Sequence, residues 1–197
     1  YGVRRGRTVL DSTCADQDGH GYWPALATEA RKILQHLENK TNQDVFMDFG
    51  SGLGRVVILA AQYPFKRVVG IERNHALHQI AQENIGRIQK QVRCGKIELL
   101  LEDAGQYMIP SDVNILYFNE PFETELLKQV LSNLYESLRL HPREITLVYR
   151  FPRTFDKVFP SVPWLEKTGD FRVLFKHVIC KARLEMITGE RARAQGS

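Results

Sequence analysis

The chain is poor in cysteine and has no long apolar run. Its 197 residues hold three cysteines, Cys14, Cys94 and Cys180. They lie far apart and form no C-x-x-C, which speaks against a disulfide frame or a zinc site. They read as free thiols of a reducing cytoplasm, the expected location. No apolar stretch approaches the roughly 18 residues of a membrane span, so no membrane association is expected. No signal-peptide pattern or initiator Met opens the chain, and Tyr1 is expected to be a processing boundary. There is no internal repeat and no Lys/Arg–aromatic pattern of an RNA module. The missing motifs leave a chain of ordinary composition, 43% hydrophobic and 25% charged. It is long enough to build one core without metals or disulfides. The net charge of +4 comes largely from the ends, from Arg4, Arg5 and Arg7 and from Arg183, Arg191 and Arg193. That basic excess is compatible with a nucleic-acid surface and equally with solvated tails.

What the chain does have is a glycine alternation behind a buried run. Val45 to Phe49 is short and apolar, as a parallel strand covered on both faces should be. Gly50, Gly52 and Gly54 follow at once. Arg55 to Tyr63 then reads as a buried helix, stopped by Pro64. A glycine turn between strand and helix presents free backbone N–H groups at the carboxyl edge of a sheet, where α/β proteins bind nucleotides. The alternative is a turn that binds nothing. The spacing G-x-G-x-G lacks the third glycine position of the G-x-G-x-x-G dinucleotide motif.

Around that turn the apolar periodicity predicts alternating strands and helices. A helix from Pro24 carries Leu26, Ala30, Ile33, Leu34 and Leu37 on one face and ends near 39–42. A second strand, 66–72, ends in Glu72, 24 residues beyond Asp48. A carboxylate at that strand tip suits the ribose hydroxyls of an adenosine; its alternative use, capping the next helix, is already served by Asn74. A helix from His75 to about Val92 follows, with His75 and His78 read as surface residues. Strand 97–101 leads into Glu102-Asp103-Ala104, and strand 113–118 into Asn119-Glu120-Pro121-Phe122. A helix runs from about Glu123 to Leu140, a fifth strand covers 144–149, and a Pro-rich aromatic stretch follows. Two β runs, 171–178 and 181–187, have no helix between them and should pair antiparallel. The tail from 188 is expected to be disordered.

Asp48-x-Gly50-x-Gly52-x-Gly54 resembles motif I of the class I, S-adenosylmethionine-dependent methyltransferases. Asp48 to Arg55, with 60–65 and Gly70-Ile71-Glu72, looks like small bacterial members whose substrates are unassigned. The Asp-x-Gly-Ser-Gly-x-Gly start is also similar to the non-SET histone-lysine methyltransferases. No other segment of that family is identified, and no histone substrate is carried over. The class I resemblance covers residues 22 to about 187. It implies a doubly wound, mostly parallel seven-stranded α/β sheet with a C-terminal antiparallel hairpin and helices on both faces. One domain, 1–197, is expected, with 1–43 capping the cofactor site, 44–187 as Rossmann-like core and 188–197 as tail.

The resemblance also implies a cofactor, S-adenosylmethionine, with S-adenosylhomocysteine as product, and no metal. Cofactor-binding candidates are Tyr22, Asp48, Gly50, Ser51, Gly52, Gly54, Arg55, Glu72, Asp103, Ala104 and Asn119. Tyr22-Trp23-Pro24 resembles the segment that closes over the methionine end; the other reading is an aromatic staple. Asp103 takes the place of the acid that bonds the adenine amino group; the other reading is a turn aspartate. Asn119-Glu120-Pro121-Phe122 resembles the Asn/Asp-Pro-Pro-Tyr/Phe motif of amino-group methyltransferases, with Glu120 where a proline is expected. Asn119 and Glu120 are the catalytic candidates. Pro121, Phe122 and Tyr149 are the substrate-wall candidates, each also suited to ordinary packing. Glu120 is the acid placed to take an acceptor's proton, or it points away from the pocket.

The function implied is methyl transfer to a small-molecule or protein acceptor, with an amine slightly favoured. The alternatives are a non-catalytic adenosine- or partner-binding protein of the same fold and an NAD-dependent oxidoreductase. Oligomeric state is not expected from any feature.

Overall fold

The computed structural model describes residues 25–37, 41–88, 92–119, 122–172 and 175–182. Their strands belong to a seven-stranded, mostly parallel sheet with an antiparallel hairpin at its C-terminal end. This is the α/β architecture expected. The chain divides into two compact units, Tyr1–Asp103 and Ala104–Ser197.

The first unit is three parallel strands, β1 (Val45–Phe49), β2 (Arg67–Glu72) and β3 (Ile97–Leu101), in the order β3-β2-β1. Every residue of β1 is buried, Asp48 included. That is why its sequence is continuous rather than alternating. An Asp44 carboxylate that accepts from Thr41 N–H and Oγ1 (2.8 and 2.7 Å) sets the turn into β1. Helix α1 (Ala27–His36) buries Ala30, Ile33 and Leu34, with Leu37 buried just beyond it, while Leu26, assigned to the same face, is exposed ahead of the first turn. Helix α2 (Arg55–Ala60) is buried at every position but Arg55. Helix α3 (His75–Gly86) begins at Asn74, whose side chain accepts from Ala76 and Leu77 N–H.

Two expectations change in this unit. Helix α3 stops at Gly86 rather than near 92; glycine is a poor interior helix residue, and Arg87 N–H turns back to Asn84 O. His78, read as a surface residue, is buried, while His75 is exposed.

The second unit holds β4 (Ile115–Asn119), α4 (Thr124–Leu140), β5 (Ile145–Arg150), α5 (Arg153–Val158), a 3-10 turn (Phe159–Ser161), β6 (Leu165–Arg172) and β7 (Lys176–Ala182). Strands β4 and β5 are parallel, β7 runs antiparallel to β5, and β6 antiparallel to β7. Leu127, Val130, Leu131, Leu134 and Leu138 form the buried stripe of α4. Beyond its end, the Arg143 guanidinium donates to the carbonyls of Val113, Ser137, His141 and Pro110, and to Ser137 Oγ. Carbonyls left open at a helix end are thereby satisfied.

The stretch read as Pro-rich and aromatic, with no element assigned, contains α5. Its Phe155 and Val158 are buried, and Phe155 packs on Tyr149 and Phe159. The hairpin is present but lies about six residues earlier than expected, with its turn after Arg172. Strand β6 is Leu-Glu-Lys-Thr-Gly-Asp-Phe-Arg, exposed along most of its length. As the last strand in the order it needs little apolar character, so hydrophobicity alone passes over it.

Candidate cofactor and acceptor site

The glycine turn is built as the spacing suggests. Gly50, Gly52 and Gly54 all take positive φ, 73°, 53° and 76°. Each sits in the left-handed region that disfavours side chains, so the alternation is a backbone requirement. Gly50 and Ser51 N–H both donate to Ile71 O at 2.9 Å, tying the turn to β2. Gly54 N–H closes onto Ser51 O, and Asn84 Nδ2 of α3 donates to Leu53 O at 3.1 Å. A Cβ on Gly54 would stand 3.2 Å from that of Ala81.

Glu72 braces this turn from the tip of β2. One carboxylate oxygen accepts from Gly52 N–H and the other from Asn74 N–H, both at 2.8 Å. The side chain is buried. A carboxylate has about four acceptor positions; the two backbone bonds leave capacity for vicinal hydroxyls. Asp48, one strand over, is buried as well. Burial first, and the Glu72 carboxylate second, push its pKa well above the usual carboxylate value. The protonated form is thereby favoured, turning an acceptor-only group into one that can also donate. The Ser51 hydroxyl is buried and has no hydrogen-bond partner among the described residues. It lies against Gly70, where a Cβ would come within 2.9 Å of it.

A three-glycine cradle, a strand-tip carboxylate with spare acceptor positions and an unsatisfied buried hydroxyl fit an adenosine-bearing cofactor. Of the other cofactor candidates in this unit, Arg55 does something else. Its Nη1 donates to Ala25 O at 2.8 Å, securing the entry to α1. Asp103 is half-buried after β3. Tyr22 lies outside the described residues.

In the second unit Ala104 is buried. Asn119 ends β4, and its Oδ1 accepts from Arg150 Nη1 at 2.7 Å. The two residues are register partners of the parallel β4–β5 pair, which puts their side chains on one face. Phe122 is buried and meets Phe118 edge-on, with ring centroids 6.0 Å apart. Tyr149 is fully buried, stacked on Phe118 at 5.5 Å and against Phe155 at 5.0 Å. Its side chain therefore packs the core rather than walling a substrate. Glu120 and Pro121 lie outside the described residues.

Sequence reasoning missed Arg150. It closes an apolar strand, where an arginine reads as a surface residue, yet it is buried. The available signal was that Asn119 and Arg150 end two consecutive parallel strands. Asn84, whose Nδ2 donates to Leu53 O, was missed too, because it belongs to no motif. Among the described residues no group of three or more His, Cys, Asp or Glu could hold a metal ion. No described helix is long and apolar enough to cross a membrane.

Comparison with known proteins adds the family. The model of the family "Histone methylation protein DOT1" matches residues 24–147. A curated relative, a histone-lysine N-methyltransferase, H3 lysine-79 specific, of Caenorhabditis elegans, is 30% identical over 115 residues. That match covers 53% of this chain but 12% of the relative's length. Among solved structures, an RNA methyltransferase of Salinibacter ruber in complex with S-adenosyl-L-homocysteine superposes with a TM-score of 0.56 at 19% identity, over 82% of this chain and 94% of that one. A dimethyladenosine transferase of Plasmodium falciparum superposes with a TM-score of 0.61 at 12% identity, over 85% of this chain and 66% of that one. At these identities the superpositions speak to fold. The family match reaches far beyond the glycine turn, so the reading that only this turn is similar to the non-SET enzymes was too narrow. The nematode relative also speaks against the bacterial grouping.

Proposed function

We propose that the acceptor is the ε-amino group of a histone lysine, from the premise that the chain belongs to the DOT1 histone methylation protein family. It is an S-adenosylmethionine-dependent class I methyltransferase. The observation that carries the lysine reading is the family match over 24–147, which spans both the glycine turn and Asn119.

The bound cofactor supplies a methyl group already activated on a sulfonium. The chain's own residues then have three tasks: holding the adenosine, presenting a neutral nitrogen, and excluding water. In this reading the Gly50–Gly54 turn lets the ligand approach the main chain. Glu72 accepts from the ribose hydroxyls with the capacity its backbone bonds leave. Asn119 meets the acceptor. Its carboxamide, held by the bond from Arg150 Nη1, orients the amine nitrogen. Glu120, beside it in sequence, is the candidate to receive the proton that an ammonium must lose. Phe122, packed edge-on to Phe118, holds the start of the following segment in place.

The test is transfer of tritiated methyl to a panel of acceptors: recombinant nucleosomes, free histones and ribosomal RNA. Label on the histones supports the proposal. Label confined to RNA, or to none of the three, overturns it.

A further inference from the structure

We infer that β3 is an open docking edge and that a second copy of this chain occupies it, the two strands pairing antiparallel about Leu99. The inference stands on the first unit alone and does not depend on the identity of the methyl acceptor.

Strand β3 has β2 on one side and, among the described residues, no strand on the other. Two hydrogen bonds fix which of its backbone groups stay open. Lys96 O accepts from Val68 N–H at 2.9 Å, and Glu102 N–H donates to Glu72 O at 3.2 Å. Successive residues of a strand turn their N–H and C=O to opposite sides. The even-numbered residues from Lys96 to Glu102 therefore serve the ladder with β2, as the register Val68↔Ile97 to Glu72↔Leu101 requires. Ile97, Leu99 and Leu101 turn theirs to the open edge.

An open edge invites pairing, and β6 shows how this chain guards against it. Exposed positions of β6 carry Glu166, Lys167, Asp170 and Arg172, and its register with β7 shifts between Lys167 and Gly169. Strand β3 has neither device. Ile-Glu-Leu-Leu-Leu holds one charged residue, Glu98, and no proline. Its first four residues are half-exposed and Leu101 is 43% exposed, whereas every residue of β1 is buried. Leucines at that exposure gain by being covered.

Backbone and charge together choose the register. A hydrogen-bonded antiparallel pair exchanges both of its bonds, so each outward residue must face an outward residue of the second copy. Registers that engage at least two of them centre on Leu99 or lie one step to either side. Pairing Leu99 with Leu101 sets Glu98 against Glu102, and pairing Leu99 with Ile97 sets Glu98 against Glu98. Like charges directly opposite are destabilising. Pairing Leu99 with Leu99 sets Glu98 against Leu100 and Lys96 against Glu102. On the other face Ile97 then meets Leu101, and Leu99 meets its own copy. The patch is self-complementary, as a two-fold contact demands.

The neighbouring charges agree with that register. Lys96 is exposed, and its Nζ lies 2.5 Å from Glu98 Oε1. Arg67 holds the other oxygen of Glu98 at 2.6 Å, so Glu98 stays paired when Lys96 turns to Glu102 of the second copy. Glu102 is exposed and has no ionic partner among the described residues. Asp103, next in the chain, falls opposite Gly95 and meets no like charge. A strand pair of this length covers less than a standard interface, so a Kd of about 10–100 μM is expected.

The experiment is sedimentation velocity over about 5–500 μM chain, a span set by that Kd, for the native chain, Lys96→Glu, Glu102→Lys and an equimolar mixture of the two variants. The native chain should pass from monomer to dimer across this range. Each substitution alone sets like charges opposite at both ends of the pairing and should raise the Kd by about 10- to 100-fold. In the mixture each changed residue meets the changed residue of the other copy with opposite charge, so dimer should return near the native affinity. A native chain that stays monomeric overturns the inference, whether the edge is left open or covered by another segment. Variants that dimerise as the native chain does overturn it, and so does a mixture no better than its components. Should a variant fail to fold, amide exchange of the native chain by NMR decides. Exchange at Ile97, Leu99 and Leu101 should slow as the chain is concentrated, while Glu98 and Leu100 stay protected throughout. Exchange at the three outward amides that is independent of concentration overturns the inference.

Discussion

Replacing Glu72 by alanine removes two hydrogen bonds at once, and their values predict a loss of both stability and affinity. The bond from Gly52 N–H is buried and charge-assisted, about 1.5–3 kcal/mol. The bond from Asn74 N–H is more open to solvent and can be replaced by water, so about 1 kcal/mol is assigned to it. Together the two bonds cost about 2.5–4 kcal/mol, which lowers the Tm by roughly 5–15 °C for a chain of this size. An acid at a strand tip would be expected to be dispensable for folding, and the buried bond to Gly52 overturns that expectation. Affinity for S-adenosylhomocysteine should fall by a further 1.5–3 kcal/mol, about 10- to 150-fold in Kd. Glu72→Gln should recover little, because its amide NH₂ faces a backbone N–H that also donates. Thermal unfolding of the free protein and calorimetric titration with S-adenosylhomocysteine read the two effects separately. An alanine variant with unchanged Tm and unchanged Kd would show that Glu72 neither braces the turn nor meets the ligand.

Arg143→Met should cost about 3 kcal/mol in chemical denaturation while leaving the Kd for S-adenosylhomocysteine unchanged, since four of the five bonds it makes in the second unit are half-buried; a loss under about 1 kcal/mol would show that water replaces it. Asp48→Asn tests the raised pKa. A carboxyl whose native pKa exceeds its unfolded value of about 3.9 stabilises the fold fully below that value, and the contribution is lost as pH rises through the native pKa. The Asn variant should therefore gain Tm relative to the native chain more at pH 8 than at pH 4, and an equal difference at both values would contradict the shift.

Legibility in the sequence followed how local each feature is. The glycine turn was readable because positive φ restricts residue type so sharply that three alternating glycines announce it. Strand β1 and helix α4 were readable because burial imposes a pattern over their whole length. The hairpin was misplaced because β6 buries little and so carries no such pattern. Tyr149 was offered as a substrate wall; nothing in the sequence says that Phe118 and Phe155 close over it. Arg150 and Asn119 lie 31 residues apart and become partners only through the register of β4 and β5. That pairing belongs to the topology, and a single strand end does not disclose it.

The proposed activity is methylation of the ε-amino group of a histone lysine from S-adenosylmethionine. The most direct measurement is tandem mass spectrometry of recombinant nucleosomes incubated with the purified chain and S-adenosylmethionine, with S-adenosylhomocysteine followed in the same reaction. The expected result is methylated lysine on histone H3, with S-adenosylhomocysteine formed in step and both lost in Asn119→Ala. S-adenosylhomocysteine production with no methyllysine on any histone would contradict it, as would methyllysine formation that Asn119→Ala leaves intact.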